Sequence, residues 1–449
     1  MQKRLIANFF SLSLLQVANS LIPIITFPVI ARIIGPEKFG ALNFAGAVVT
    51  YFTLLINYGF DLSSSRSIAK NKENVVERNR VFSEVLFAKL LLLAFSTVLF
   101  TVLLMYVPQF SSQKKLLIFT YLVSVSSVIT SNWFYQGMQD LYVVAIFNFI
   151  AKSLFTLSIF IVIRKEDDYI LQPLIGSISA ILVAASSFTW AIKKYGIAIK
   201  VVSIDRVLGL LWDERTIFFS GVVINLYTTT NIIILAIAQT AKDVAYFSAA
   251  SKMIIISQTL ISIPLSQSLF PFIGERFGQS RTNGIDRVKR ITPFITAFTF
   301  IAGVAIWMAS PLIIYIFFGS AFTEAITVLR ILSFVPLIIA LSDLLGVQTM
   351  INLNMDKPFF RITLIGAILG LTLNFFLSRH FGAQGTAWAW VLTEVAITFF
   401  MWLFLFKNKI QVFDSTYFRY NYFMEVAKPF IYLIKNKFLK LYQSKSFKS

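Results

Sequence analysis

Apolar runs of about 20 residues recur from one end of this chain to the other, and they leave few folds open. Each run is long enough to cross the ~30 Å hydrocarbon core of a bilayer as a helix. We place such segments near 9–34, 39–63, 82–107, 115–137, 142–163, 170–192, 216–239, 244–270, 291–318, 324–351, 359–379 and 384–406. Hydrophobic residues make up 57% of the 449 positions, close to what twelve such spans would use. No stretch reads as a soluble domain. The expected fold is an all-α integral membrane protein of about 12 transmembrane helices. The first segment is too long and too polar at its centre for a cleaved signal peptide. Cysteine is absent, which removes disulfides, thiol chemistry and cysteine metal sites.

A formal charge of +19 could indicate nucleic acid, but its distribution argues for topology instead. With Met1 in the cytoplasm, 28 of the 40 Lys and Arg fall on cytoplasmic connections and ends, and 8 on the opposite loops. That asymmetry is the positive-inside pattern, with both termini cytoplasmic. No nucleic-acid motif accompanies it. The outer loops are short, which weighs against an external catalytic domain.

The chain divides into a six-helix half over 1–195, a connection over 196–214, a second half over 215–408 and a basic tail over 409–449. Two weak echoes link the halves. Phe9-Phe10-Ser11, followed by Gln16, Asn19 and Ser20, matches Phe218-Phe219-Ser220, followed by Asn225, Thr228 and Thr229. Gln136 to Asp140 matches Asn352 to Asp356. In repeat-built transporters, substrate sites lie between the halves near the midplane. In the first connection, Gly35 suits a positive-φ position after a helix, and Pro36 and Glu37 suit the first turn of the next. Pro23, Pro28, Pro264, Pro311 and Pro336 interrupt apolar segments, as static bends or, for Pro23 and Pro28, as a gating hinge. Gly366 and Gly370 form a close-packing pattern. In the tail, Phe430, Leu433, Ile434, Phe438 and Leu441 fall at helical spacing among Lys435, Lys437 and Lys440. Two readings fit: an amphipathic helix on the anionic inner leaflet, or a disordered basic tail.

Four cations sit inside apolar segments. A charged amine at the centre of a membrane helix costs about 2.5–3.5 kcal/mol on insertion scales, so it needs a water-filled cavity, a charged ligand or a partner. Lys152 shares a helix face with Asn148 and Thr156, and Lys252 shares one with Ser248. Both read as lining a lumen or as interhelical salt bridges. Arg330 lies near an outer end, and Lys89 is four residues into its run, so both can also snorkel. Several cations inside the membrane point to an anionic substrate. The acidic candidates are Asp61, Asp343 and Glu394, which could carry a coupling proton or sodium ion, or pair with a cation. No cofactor and no metal are expected. Trp133, Trp388 and Trp390 read as interfacial residues more readily than as sugar-stacking ones, and His380 is a lone histidine in an outer loop.

The stretch from Pro28 through Arg32, Gly35-Pro36-Glu37 and Phe39-Gly40 resembles the polysaccharide (O-antigen) flippase family. That family belongs to the multidrug/oligosaccharidyl-lipid/polysaccharide exporter superfamily. Asn57 to Asp61, Ser65-Arg66 through Lys70, Trp133 to Gly137 and Phe381 to Gly385 fit the same pattern, over nearly the whole chain. The resemblance implies two six-helix bundles around a central cavity. It implies alternating access that turns an undecaprenyl-diphosphate-linked oligosaccharide from the inner to the outer leaflet of the bacterial inner membrane. Arg32, Glu37 and Arg66 carry over by motif, with structural roles among those open to them. Expected partners are the lipid-linked oligosaccharide, membrane lipids and polysaccharide polymerase machinery. Guanidinium and ammonium groups suit a diphosphate, and flipping breaks no bond, so no enzyme activity is expected. The rivals are a multidrug antiporter, whose lumen should be acidic, a peptidoglycan-precursor flippase with two more helices, and a membrane polymerase or ligase with a large outer loop.

Overall fold

The computed structural model describes residues 2–419 and Tyr422. Among these residues there is helix and no strand. Among the described residues, nine helices are long and apolar enough to cross a membrane. Two of the helical runs are too long for one passage. Gln2–Asn57 would extend ~84 Å and Asp356–Lys407 ~78 Å at 1.5 Å per residue. Both break at a glycine: Gly35 has φ 72° and ψ 173°, and Gly382 has φ 55° and ψ −135°. Backbone of this kind is open to glycine and strained for other residues. Counting these runs as two passages each, and adding Ile204–Thr228 with Thr230–Ala238, gives about twelve, as the apolar pattern predicts.

The break in the first run falls at Gly35 and not at the prolines. Pro36 follows it, where its missing N–H costs nothing. Pro336 opens the helix Val335–Leu345, and Pro264 stands in the first turn of Ile263–Gln279, directly after the π-helical segment Gln258–Ser262.

The packing separates the described residues into two compact units. The first draws on Met1–Ile256, Ala309–Leu332 and Ala367–Trp390; the second draws on Ser257–Met308, Ser333–Gly366 and Val391–Ser449. These units cut across the division expected at 195–215. Side-chain contacts within the first unit show why. Phe39 packs edge-on against Phe318 and Phe322, at 6.1 and 5.7 Å. Asn374 donates to Asn231 at 3.0 Å, and the Ala383 N–H donates to Asp243 at 3.3 Å. The connection 196–214 is also not a free linker. Ile204–Thr228 starts a dozen residues before the apolar run does. Ile197 and Val207 are buried with Phe82, Phe134 and Trp133, and Arg206 pairs with Glu84 at 2.5 Å. Trp133 is 3% exposed in that core, so it is neither interfacial nor a sugar platform.

In the second unit, Ile273, Val288, Leu344, Met350 and Met401 form the core. Ile410 and Val412, the first residues of the expected tail, are buried in it, and Asp414 pairs with Lys289 at 3.3 Å. The helix expected over Phe430 to Leu441 lies outside the described residues.

Backbone geometry carries the internal repeat further than the sequence echo does. Gln139 (φ 61°) and Asn354 (φ 57°) occupy matching turns. Asp140 N–H donates to Tyr135 O at 2.8 Å, and Met355 N–H donates to Met350 O at 2.8 Å. The structural register is therefore one residue away from the echo, which set Asp140 opposite Asp356. A second match closes each sixth helix. Gly196 (φ 61°) and Lys409 (φ 58°) are each followed by an N–H bonded back five residues, Ile197 to Ile192 and Ile410 to Leu405.

Asp140 anchors the first of these turns. It accepts from Lys194 Nζ at 2.5 Å and from Tyr195 Oη at 2.7 Å. Burial raises its carboxyl, but the Lys194 and Tyr195 contacts more than offset that and hold it below its ordinary 3.8. A depressed carboxylate stabilises the fold above its unfolded pKa, and that stability is lost as pH falls through the folded value. Asp140→Asn should therefore be less stable than wild type at pH 7, with the gap narrowing below about pH 3.8 in thermal unfolding scans. A second test concerns Gly366, where an added Cβ would sit 2.2 Å from Ile397 Cγ1. Gly366→Val should cost about 1–3 kcal/mol through overpacking, and Ile397→Ala in the same protein should recover part of it.

Candidate functional site

Lys252 lies on the helix Ala241–Ser257, in the first unit. Its ammonium donates to Asn43 Oδ1 at 2.7 Å. It also sits 4.0 Å from the centroid of the Phe27 ring and 4.7 Å from that of Phe39. Two ring faces are worth about 0.5–2 kcal/mol each to a cation, more as water is excluded. Asn43 is itself held: its amide donates to Phe39 O, one turn back, at 2.6 Å. The oxygen it shows to Lys252 is thus oriented by the helix it stands on. The close approach that makes this possible comes from Gly40, where a Cβ would meet Ala241 O at 1.7 Å. Lys252 takes part in no ion pair among the described residues, so its charge is left for something else to meet.

That charge opens into a cavity of about 510 Å³. Thr50, Thr120, Gln172, Ser177, Thr228 and Thr229 bring hydroxyls and amides to its wall, and Phe27 and Phe39 bring aromatic faces. The volume is within the ~300–1,000 Å³ typical of small-molecule sites. One ammonium among hydroxyls, amides and rings can hold an anionic, hydroxyl-rich headgroup. It offers no nucleophile with an adjacent base.

The other candidate residues are elsewhere. Lys152 donates to the backbone carbonyl of Asn19 at 2.7 Å, and Thr156 bonds Thr26 at 2.7 Å. Asn19 returns a bond to Ala145 O at 3.1 Å. The Lys152 face thus joins two helices through neutral partners; among the described residues it forms no salt bridge, and Lys152 does not line the Lys252 cavity. Asn148 is half-buried on the same helix. Lys89 does not snorkel: it is 1% exposed and donates to Asn57 Oδ1 and Ser127 O, both at 3.1 Å. The side chain itself is enclosed, although neighbours on the same helix such as Leu90 and Phe95 are exposed. Arg330 is exposed and reaches Ser310 at 3.2 Å. Asp61 is exposed in the first turn of Phe60–Lys70, where a carboxylate complements the helix dipole.

Of the motif residues, Arg32 has a clear contact. Its guanidinium donates to Tyr315 O and Ile316 O, carbonyls in the last turn of Arg281–Phe318; Tyr315 O also accepts from the Gly319 N–H at 3.1 Å. Glu37 and Arg66 are exposed. In the second unit, Glu394 is buried, with its carbonyl accepting from Thr398 at 2.8 Å, and Asp343 lies against Ser266 and Gln348.

The model of the family described as "Polysaccharide biosynthesis protein" matches residues 5–277. The chain belongs to that family. A protein of Escherichia coli (strain K12), provisionally named an O-antigen transporter, is 26% identical over 408 residues, 90% of this chain and 97% of that one. A protein of Shigella dysenteriae with the same provisional name is 28% identical over 398 residues, 88% and 98% of the two chains. Among solved structures, the lipid II flippase MurJ in an inward closed conformation aligns with a TM-score of 0.74 at 14% identity, over 94% of this chain and 92% of MurJ. An inward-facing multidrug transporter of the MATE family aligns at 0.62 and 13%, over 87% and 94%. These likenesses establish the shared fold.

Sequence reasoning picked out Lys252, Thr228 and Thr229 but missed Phe27, Asn43, Thr50 and Gln172. One signal for two of them was present: Asn43, Gly46 and Thr50 recur on a single face of an otherwise apolar helix.

The two buried amines should respond differently to replacement. Lys89→Met leaves Asn57 and Ser127 without a donor in a closed core and should cost about 1–3 kcal/mol. Lys252→Met leaves Asn43 facing a cavity that water can enter, and should leave thermal stability unchanged or higher. Thermal unfolding of the two purified variants checks the contrast. Equal losses would make both lysines structural.

Proposed function

We propose that the protein is a flippase. It moves a lipid-linked oligosaccharide, an undecaprenyl-diphosphate-linked unit of surface polysaccharide, from the cytoplasmic to the periplasmic leaflet of the bacterial inner membrane. The observation that carries the proposal is the unpaired Lys252 ammonium in a hydroxyl- and amide-lined cavity. A diphosphate supplies the charge that Lys252 lacks, and Thr and Gln side chains suit the hydroxyls of a glycan. Family membership and the provisional names of the E. coli and S. dysenteriae relatives support the same substrate class. A drug antiporter expelling cations would be served poorly by a cavity whose one charged side chain is a lysine.

The direction rests on charge asymmetry. The basic connections belong to the cytoplasmic side, which puts both termini there and puts the Gly35 turn, Ala241, Phe318 and Gly382 at the outer side. In the first unit these outer elements are in contact: Gly40 on Ala241, Phe39 on Phe318 and Phe322, Arg32 on Tyr315. We read this as a state shut toward the periplasm, which loads substrate from the inner leaflet. Parting these contacts would release substrate outward.

The test is complementation of a bacterial strain lacking its own polysaccharide flippase. Lys252→Ala and Asn43→Ala should each lower surface polysaccharide by at least about tenfold at normal membrane levels of protein, a loss of 1.4 kcal/mol or more in conversion terms. Lys252→Arg should keep most of the activity. Full surface polysaccharide in the double variant would remove Lys252 from the substrate path. Drug resistance without polysaccharide rescue by the wild type would favour an exporter.

A further inference from the structure

The basic stretch 271–290 folds into a corner where two helices of the second unit meet. Ile263–Gln279 ends and Arg281–Phe318 begins on either side of Ser280. Hydrogen bonds fix the turn: Ser280 N–H donates to Arg276 O at 3.2 Å, and Asn283 N–H donates to Ser280 Oγ at 3.1 Å. The helices approach closely, since a Cβ on Gly284 would meet the Phe277 ring at 2.3 Å. The corner encloses a cavity of about 260 Å³ lined by Arg276, Asn283, Asp286, Arg287 and Arg290. Asn283, Arg287 and Arg290 are spaced to share one helix face.

Three guanidiniums meet one carboxylate here, and that carboxylate is already engaged. Asp286 Oδ2 accepts from Arg290 Nε at 2.7 Å, and Oδ1 accepts from Tyr417 Oη at 2.9 Å. Arg276 and Arg287 join no ion pair among the described residues. Arg276 donates to the neutral Gln279 at 3.0 Å, and Arg287 lies 4.6 Å from the centroid of the Phe272 ring. A guanidinium held by its face on a ring keeps its N–H edge for another acceptor. The other charges nearby do not change this balance. Glu275 is exposed and does not line the cavity, and Lys289 is matched by Asp414 at 3.3 Å. Two guanidiniums are thus left without a counter-charge beside an amide.

Guanidinium forks match the oxygens of a phosphate group. The cavity falls short of the ~300–1,000 Å³ of sites that enclose a whole small molecule, so it suits a headgroup whose remainder lies outside. The surroundings are suited to an apolar remainder. Phe270 and Phe272 are exposed just before Arg276, and Phe298 and Ile301 are exposed beyond Arg290. Both helices therefore pass between exposed apolar and basic residues within about two turns of the cavity, as at the depth of lipid phosphates. By charge asymmetry this is the cytoplasmic face. Basic pockets between membrane helices on that side hold anionic headgroups. A zwitterionic headgroup would bring an ammonium that the unpaired guanidiniums repel. We infer that Arg276, Asn283 and Arg287 bind the phosphodiester headgroup of an anionic phospholipid of the inner leaflet, a resident lipid distinct from any transported one.

This site stands apart from the transport reading, because binding is measured without a transport substrate. Purified full-length protein in neutral detergent would be titrated with phosphatidylglycerol or phosphatidylcholine, and bound lipids counted by native mass spectrometry. The expected result is a single phosphatidylglycerol retained about tenfold or more tightly than phosphatidylcholine. The double variant Arg276→Gln, Arg287→Gln should weaken its binding by about tenfold or more, and Arg287→Lys, which keeps the charge and loses the fork, by about 3-fold. Arg281 is exposed and does not line the cavity, so Arg281→Gln serves as the charge control. It should change binding by less than about twofold, since an exposed charge outside the site is screened. Inorganic phosphate at constant ionic strength should leave the lipid in place. Arg287→Lys keeps the test decisive should the double variant fold poorly. Equal retention of the two lipids, displacement by inorganic phosphate, binding undiminished in the Arg276 and Arg287 variants, or an equal loss in Arg281→Gln would each overturn the site.

Discussion

A hydrocarbon solvent offers no hydrogen bonds, and that absence governs which polar groups this chain can keep inside the membrane. Each intramembrane charge meets the constraint differently. Lys89 is closed in a core and gives its protons to Asn57 and Ser127. Lys152 gives one to the carbonyl of Asn19 and so holds two helices together. Lys252 has a single amide oxygen and two aromatic faces, which lower the cost of its charge without cancelling it. Asp343 has two neutral donors. The first two are satisfied and act as glue. Lys252 is satisfied only in part, and it borders a cavity. Incomplete satisfaction therefore separates the structural lysines from the one left to meet a ligand.

Glycine decides where the helices can turn and touch. Gly35 and Gly382 divide runs that would otherwise outreach the bilayer, because only glycine adopts their backbone angles without strain. Gly40 lets one helix press its backbone against Ala241. That contact brings Asn43 and Phe39 up to Lys252, so the cavity's chemistry depends on a residue with no side chain. Arg32 adds a second tie at the same end of the first unit by capping carbonyls of another helix.

The two halves share turns that the amino acids barely advertise. Gln139 and Asn354 have nearly the same positive φ, and the N–H of the residue after each bonds five residues back, as at the junctions after Gly196 and Lys409. Residue identities drift at such turns because the bonds are made by the backbone. The echo between Gln136–Asp140 and Asn352–Asp356 is one residue out of register with the backbone match, and the first unit draws on segments of both halves.

Helix number, membrane class and family were legible in the sequence, since apolar length and the Gly35-Pro36 hairpin are local properties that solvent and backbone sterics settle alone. The list of intramembrane charges was legible for the same reason. Which of them would remain unpaired was not. Lys152 and Lys252 look alike in sequence, each one polar step along an apolar helix, yet one faces a carbonyl and the other a cavity. The start of the helix at Ile204, the burial of Trp133 and the mixing of the two halves in one unit also escaped the pattern. Each depends on a neighbour distant in the chain, and only tertiary packing decides which neighbour arrives and how much room it leaves.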